Sequence, residues 1–288
     1  RLAEARMVLG KYDMVSELSS LWQQVFGDGE REVSFFFRNA WKPENTLAVT
    51  ENGRVVSALH LLPCRINLPG GSVQAHYLYA AATLPDFRGK SYMRGLLEQA
   101  ARYGAQRGDW ASVLLPGEPS LYDYYHKHGY RTVFGVRYCR VEREELPVVP
   151  VEKGQCVLTG WDCAVIRNRC LLPIKGSVLW EPLAVQFAIN AQKHWGKRMV
   201  SSPRGYCLFQ EDGLVQELMA QPGEEMALLA KAARLMTSES LRVRLPAKSP
   251  LLPGRGEIEP FGMMRPLRAG IAKGFPSDGS PYLGLTME

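Results

Sequence analysis

The sequence predicts an α/β (α+β) protein with two domains of similar plan, each a mixed, mostly antiparallel sheet flanked by helices. Three observations lead to this prediction. The chain has 288 residues, more than one average domain contains. Segments with helical and with strand periodicity follow one another in both halves. Leu146–Pro150 contains two prolines, which stiffen a chain, so we expect a linker there and domains at residues 1–145 and 146–288.

The first half has the predicted element order β-α-α-β-β-β-α-β-α-β. Asp13 and Asp28 are expected to cap the first two helices, and Gly27 is expected to end the first. Asn52-Gly53 is a strong hairpin signal, because both residues tolerate positive φ. The predicted strands are Arg6–Leu9, Thr46–Thr50, Val55–Leu62, Val73–Leu84, Ser112–Leu115 and Arg131–Val141, and the helices are Met14–Phe26, Asp28–Trp41, Ser91–Arg107 and Ser120–His128.

The second half repeats part of this order, which favours two divergent copies of one unit. Asp212-Gly213 gives a second hairpin signal, and Pro222 is expected in the first turn of a helix. The predicted helices are Glu181–Lys193 and Pro222–Met236, and the strands are Tyr206–Gln210, Leu214–Ala220, Leu241–Leu245, Phe261–Pro266 and Tyr282–Thr286.

Charge and composition restrict the classes of ligand. The net charge is +6, which favours anionic ligands. The cations are spread along the chain without a dense Lys/Arg block, so we expect no nucleic-acid partner. None of the six cysteines forms a C-x-x-C pair, and we expect no metal site. No run of 18 apolar residues occurs and Arg1–Gly10 lacks a signal-peptide core, so we expect no membrane partner and a cytoplasmic location.

The most informative segment is Pro85–Leu97, which leads from a strand through a short turn into an amphipathic helix. The first turn of a helix leaves backbone N–H groups unpaired and carries partial positive charge. Gly89 lets the backbone approach a ligand closely, and the cations Arg88 and Lys90 flank it. A pyrophosphate fits such a site.

This segment resembles the GNAT superfamily of N-acetyltransferases, whose signature is R/Q-x-x-G-x-G/A. Arg88 to Met93 aligns with it, and Ser91 and Met93 depart from the two small residues. The resemblance covers about residues 6 to 141 and implies acetyl-CoA as the acyl donor. It also implies that the backbone of Ala81 to Leu84 pairs with the pantetheine arm. The implied donor-binding residues are Ala82, Thr83, Leu84, Arg88, Gly89, Lys90, Ser91, Tyr92, Met93 and Arg94.

A second match is Leu121–Tyr130, which looks like the family segment a-x-x-x-Y-x-K-x-G-F. Tyr125 lies at the position of the tyrosine that in this family often protonates the departing CoA thiolate. A phenol near the sulfur can give up its proton as the thiolate forms. The alternative is a tyrosine packed under a loop, and Tyr124 and Tyr122 are the other candidates for the acid.

A base is also needed, because an ammonium cannot attack a thioester. The resemblance also implies that the strands Val73–Leu84 and Ser112–Leu115 separate to admit the pantetheine arm, and Glu118 and Asp123 are candidates near that opening. The layout in two halves is similar to tandem acetyltransferases of the enhanced-intracellular-survival type, in which the C-terminal carboxylate enters the active site. That resemblance implies a role for the carboxylate at Glu288. His126 and His128 are expected to point apart on the surface.

The second half provides a comparison for the turn. Its equivalent is Met219–Met226, which has no Arg or Lys and places two carboxylates at the helix start. These would repel a phosphate, so we expect two GNAT-like domains of which only the first binds CoA.

The function that follows is transfer of acetyl from acetyl-CoA to a primary amine by direct attack in a ternary complex. The acceptor would be a small molecule or a peptide. Two alternatives are a non-catalytic acyl-CoA-binding module and an aminoacyl transferase of the peptidoglycan-bridge type, which uses charged tRNA. Arg88-Gly89-Lys90 together with Tyr125 favours the acetyltransferase.

Overall fold

The computed structural model describes residues 4–154 and 156–286, which form two compact units. Unit 1 contains the chain up to Cys64, then Val73–Arg131 and Met263–Lys273. Unit 2 contains Arg65–Ser72, Thr132–Gly262 and the chain from Gly274 onward. Neither unit is continuous in sequence, unlike the division expected after residue 145.

The described residues form fourteen strands and seven α-helices. In chain order they are β1 (Ala5–Leu9), α1 (Val15–Phe26), α2 (Glu30–Asn39), β2 (Thr46–Glu51), β3 (Arg54–Leu68), β4 (Gly71–Thr83), α3 (Tyr92–Gln106), β5 (Ala111–Leu114), α4 (Leu121–His126), β6 (Arg131–Thr132), β7 (Gly135–Glu142), α5 (Gly160–Leu171), β8 (Val178–Leu179), α6 (Pro182–His194), β9 (Arg198–Ser202), β10 (Gly205–Phe209), β11 (Leu214–Ala220), α7 (Glu225–Ala233), β12 (Ser240–Pro246), β13 (Ile258–Pro260) and β14 (Met263–Pro266).

Unit 1 is built on a sheet in the order β1-β2-β3-β4-β5-β14. β1, β2 and β3 are antiparallel, β4 and β5 are parallel, and β14 is antiparallel to β5. The turn at Asn52-Gly53 has φ values of +52° and +81°, as the hairpin signal predicted. Leu21 and Phe36 of the first two helices and Leu96 of α3 are buried in the core.

Two expected helix caps in unit 1 were wrong. Asp13 lies inside a short 3₁₀ helix, Tyr12–Met14, that precedes α1. Asp28 lies before the start of α2, and its carboxylate accepts a hydrogen bond from Trp22 Nε1 at 2.7 Å. The reason is that a partly buried indole N–H needs an acceptor, and Asp28 supplies it.

Unit 2 is built on a second sheet in the order β13-β7-β12-β11-β10-β9. β11 and β12 are parallel, and the other neighbours are antiparallel. In its core, sheet residues such as Phe209 and Val243 form one hydrophobic cluster with Leu228 and Leu229 of α7. The predicted helix Pro222–Met236 is shorter than expected, since α7 begins at Glu225.

The predicted strand Tyr282–Thr286 is an irregular, buried segment of unit 2. Two of its carbonyl groups accept hydrogen bonds from side chains. Arg167 Nη2 donates to Leu283 O at 3.0 Å, and Gln192 Nε2 donates to Thr286 O at 2.8 Å. The fully buried Arg167 also pairs with Glu217 at 2.8 Å.

Candidate functional site

The site begins where two parallel strands of unit 1 separate. β4 and β5 pair at His76 with Ser112 and at Tyr77 with Val113, and β4 then continues to Thr83. Ala80 has a φ of +50°, which is unusual for a residue other than glycine. Ala81, Ala82 and Thr83 at the end of β4 therefore line a cleft beyond the part of β4 that is paired with β5.

The turn after β4 is arranged to receive an anion. A 3₁₀ turn, Pro85–Phe87, leads to Gly89 with a φ of +79° and Ser91 with a φ of +61°. The hydroxyl of Ser91 makes no capping hydrogen bond to α3. The first N–H groups of α3 are therefore without a side-chain cap and remain available to a ligand.

The left-handed backbone at Ser91 explains why the family signature has glycine at this position. Glycine adopts positive φ without steric cost, whereas another L-residue pays roughly 1–2 kcal/mol. Ser91 keeps the conformation of the turn and bears that cost.

A cleft of about 890 Å³ connects the end of β4, the turn and α4. It brings together most of the predicted site residues. Those that line it are Ala82, Thr83, Arg88, Gly89, Ser91, Tyr92, Met93, Arg94 and Tyr125.

Two predicted donor-binding residues do not line this cleft. Lys90 Nζ lies 3.1 and 3.2 Å from the two carboxylate oxygens of Glu51 and 5.1 Å from the centre of the Phe87 ring. Leu84 is buried, and its N–H donates to Val56 O at 2.9 Å. Hydrogen bonds from the Tyr92 hydroxyl and from Lys90 lower the pKa of Glu51, which keeps this carboxylate charged.

Tyr125 lies on the wall of the cleft formed by α4. Its ring is buried and meets the rings of Tyr124 and Tyr130 edge-on, at centroid distances of 5.3 and 5.6 Å. Burial, with smaller contributions from Tyr130 and Tyr124, raises the pKa of Tyr125 above its usual 10. The phenol is thus protonated at neutral pH and can act as a proton donor. Tyr124 also lines the cleft, and Tyr122 does not.

The two carboxylates considered as bases lie outside the cleft. Glu118 and Asp123 are both exposed, and Glu118 accepts a hydrogen bond from Ser120 Oγ at 2.6 Å. Glu288 lies outside the described residues. Glu98 does line the cleft, but its oxygens are 3.1 and 3.3 Å from the guanidinium of Arg265.

Sequence reasoning missed His128 as a cleft residue. Its ring lines the cleft and lies 4.7 Å from that of Tyr124. Burial, followed by the charge of Arg94, lowers the pKa of His128, so the imidazole is neutral at pH 7. The available signal was its spacing of three residues from Tyr125, because His128 lies in the turn after α4 and its N–H donates to Tyr125 O at 2.9 Å.

Unit 2 contains a related but different strand-turn-helix segment. β11 and β12 pair only at Leu214 with Arg242 and at Val215 with Val243. At the start of α7, the carboxylate of Glu225 accepts a hydrogen bond from the N–H of Gly223 at 2.8 Å. An acidic side chain thus takes a backbone donor that a phosphate would need.

Within residues 4–154 and 156–286, no helix is long and apolar enough to cross a membrane. The same residues contain no group of three His, Cys, Asp or Glu side chains that could hold a metal ion.

Residues 10–133 match the family model described as an acetyltransferase (GNAT) domain. No curated protein matches the chain.

Three solved structures illustrate the likeness in fold. A probable N-acyltransferase of Enterococcus faecalis is 16% identical with a TM-score of 0.71, over 92% of this chain and 73% of that one. Eis1 of Mycobacterium abscessus is 16% identical with a TM-score of 0.69, over 93% and 75%. A tandem GNAT protein of the clavulanic acid biosynthesis pathway is 12% identical with a TM-score of 0.53, over 92% and 99%.

At these identities the structural likeness establishes the fold alone, and the family model supplies the assignment of the N-terminal part. Residues 10–133 therefore match a GNAT acetyltransferase domain, in a chain that shares its fold with Eis1 and with a tandem GNAT protein.

Proposed function

We propose that this protein is an N-acetyltransferase that moves acetyl from acetyl-CoA to a primary amine by direct attack in a ternary complex. The observation that carries the proposal is one cleft in unit 1. It joins an uncapped helix N-terminus, the open end of a strand and a buried tyrosine. An acetyl-CoA-dependent transferase needs these three features in one place.

The donor would be held at two points. Its diphosphate would accept hydrogen bonds from the first N–H groups of α3 and pair with Arg88, which lines the cleft. Its pantetheine arm would run along Ala81 to Thr83, where β4 has separated from β5. Arg88 Nε is 3.3 Å from Thr83 O, so its side chain already lies between these two parts.

The one chemical step assigned to a residue of this chain is the donation of a proton. The neutral amine attacks the thioester carbonyl carbon, the C–N bond forms and the C–S bond breaks. Tyr125 gives its phenolic proton to the departing thiolate and is then reprotonated from solvent. The amine loses its extra proton to water before attack and another to water as the amide forms.

The proposal is tested by thiol release from acetyl-CoA with a panel of primary amines. The panel contains an aminoglycoside, a polyamine, a peptide with a free N-terminus and lysine. We expect release that depends on an amine and that falls strongly in Arg88→Ala. Binding of acetyl-CoA without release to any amine would instead support the non-catalytic acyl-CoA-binding module.

A further inference from the structure

Unit 2 contains a cavity of about 470 Å³ where its two parallel strands separate. The last pair between β11 and β12 joins Val215 to Val243, yet β11 continues to Ala220 and β12 to Pro246. Apolar side chains form most of the wall, among them Ile166, Leu171, Ile174, Leu218, Leu245 and Leu251. A concave, mainly apolar space of this size is typical of a small-molecule site.

The edge of β11 that faces the cavity offers backbone donors. Just after β11, the N–H of Gln221 donates to Arg204 O at 2.9 Å and so continues the ladder with β10. Residues of an antiparallel strand alternate between its two sides, so Leu218 and Ala220 direct their backbone groups away from β10. The thiol of Cys170 donates to Ala220 O at 3.3 Å, which agrees with that direction. The N–H groups of Leu218 and Ala220 lie beyond the last pair with β12 and can bind an acceptor.

One wall of the cavity is fixed by a buried arginine. Arg137 of β7 donates hydrogen bonds to the carbonyl oxygens of Ala247 at 3.2 Å, of Ser249 at 2.9 Å and of Leu251 at 2.9 Å. These three residues belong to the loop after β12, and Ser249 and Leu251 line the cavity. Because a planar guanidinium holds the loop at several points, this wall is formed before a ligand arrives.

The charged groups at the cavity favour an anionic ligand. Arg169, Lys248 and Glu225 line it. Glu225 accepts a hydrogen bond from the N–H of Gly223 at 2.8 Å, and Lys248 lies 3.2 Å from the carboxylate of Asp278. Arg169 is exposed in the last turn of α5, and within the described chain it pairs with no carboxylate. Its charge therefore remains for a ligand.

We propose that this cavity binds an unbranched fatty acid. The apolar walls take the alkyl chain. The carboxylate accepts hydrogen bonds from the N–H groups of Leu218 and Ala220 and is attracted by Arg169. A neutral alcohol of the same length would leave Arg169 without a partner, and an alkylamine would be repelled by it. All residues that line the cavity belong to unit 2, so this inference does not depend on the proposed function.

The ligand class is tested by calorimetry of the full chain with hexanoate, octanoate and decanoate. We expect one decanoate per chain and an affinity that rises about three- to fourfold for each added methylene, as for an alkyl chain leaving water. Decylamine and 1-decanol should each bind about tenfold more weakly than decanoate, because both lose the charge-assisted hydrogen bonds.

Substitutions on α5 test the location. Ile166→Trp fills the cavity, so decanoate affinity should fall at least about tenfold. Val165→Trp is the matched control, because Val165 is the exposed neighbour on the same helix and does not line the cavity. Leu251→Trp fills the cavity from the loop and gives the same test if circular dichroism shows that Ile166→Trp is unfolded.

A second pair of variants tests the charge. Arg169→Gln should weaken decanoate binding by about three- to fivefold, as for an exposed ion pair, and leave 1-decanol binding unchanged. Lys193→Gln, on the exposed face of α6, should bind both as wild type does.

The outcomes are distinct from those of the acetyltransferase test. Absence of saturable decanoate binding, or equal affinities for decanoate and 1-decanol, would overturn the fatty-acid site. Saturating acetyl-CoA should leave decanoate binding unchanged. Competition between the two would assign decanoate to the cleft of unit 1 and would also overturn the site, and each of these results leaves the acetyltransferase proposal intact.

Discussion

Tyr125 is the residue whose removal tests the proton transfer most simply. Tyr125→Phe deletes the hydroxyl and keeps the ring contacts with Tyr124 and Tyr130. Because a positioned general acid contributes about 10²–10⁴-fold, we expect the kcat for thiol release to fall by about a hundredfold. The affinity for acetyl-CoA should change less than about threefold. Tyr122→Phe, outside the cleft, is the control, and full activity in Tyr125→Phe would remove this residue from the mechanism.

Ser91 tests the backbone conformation of the turn. Ser91→Gly removes the strain at the φ of +61°, so it should raise the free energy of unfolding by up to about 1–2 kcal/mol and keep acetyl-CoA affinity. Ser91→Val places a β-branched side chain at positive φ, where it is more strained than serine, so we expect the free energy of unfolding to fall by about 1 kcal/mol and donor binding to weaken. Urea unfolding measures the first effect. Equal stability of Ser91→Val and wild type would show that the turn is not left-handed here.

His128 gives the donor affinity a predictable dependence on pH. Burial and Arg94 hold its pKa below 6.5 in the free protein, and a bound phosphate would raise it. Affinity for acetyl-CoA should therefore increase as pH falls from 8 to 6.5, by at most about tenfold per pH unit. Calorimetry in two buffers of different ionisation enthalpy should detect proton uptake. His128→Gln should abolish that uptake, and its persistence would exclude the imidazole as the source.

At the scale of elements, α3 contains two glycines that should respond in opposite ways to the same substitution. A Cβ at Gly104 would lie 2.7 Å from Cε1 of His76, which is buried and held 2.8 Å from Asp109. Because neither group can move away freely, we expect Gly104→Ala to cost about 1–3 kcal/mol. A Cβ at Gly95 would meet only the flexible end of Met7, at 3.2 Å.

Gly95→Ala is therefore the matched control for the packing of α3. We expect it to leave stability unchanged or to raise it by up to about 1 kcal/mol, since alanine favours a helix over glycine. Urea unfolding followed by circular dichroism measures both variants. If the two alanines had the same effect, the contact between α3 and His76 would not determine stability.

Elements with a regular local pattern could be predicted from the sequence, and elements shaped by distant partners could not. α3 and the Asn52-Gly53 hairpin follow from their own residues. α5 escaped prediction because Arg167 is buried while Trp161 and Val165 are exposed, which breaks the apolar periodicity.

The same distinction holds within the candidate site. Gly89 and Ser91 belong to a turn whose shape is local, and Tyr125 lies in a short contiguous motif. The pairing of Lys90 with Glu51 joins residues 39 positions apart, so nothing near Lys90 indicated it.

At the scale of the whole molecule, the division into units depends on pairing over long sequence separations. β7 belongs to the sheet of unit 2 beside β12, and β14 belongs to the sheet of unit 1 beside β5. One boundary along the sequence cannot separate these two units, because each unit contains a strand from the other half of the sequence. The central functional proposal also concerns the units, because it places the acetyl-CoA site in unit 1 alone.

That claim is tested most directly by the stoichiometry of acetyl-CoA binding, measured by calorimetry on the full chain. We predict about one donor per chain. Gly89→Asp, which places a carboxylate beside the expected diphosphate, should weaken binding at least about tenfold. Gly223→Asp is the matched control, because Gly223 also has positive φ in the turn before a helix and also has open space around it. Two donors per chain, or a loss of binding in Gly223→Asp and not in Gly89→Asp, would contradict the account.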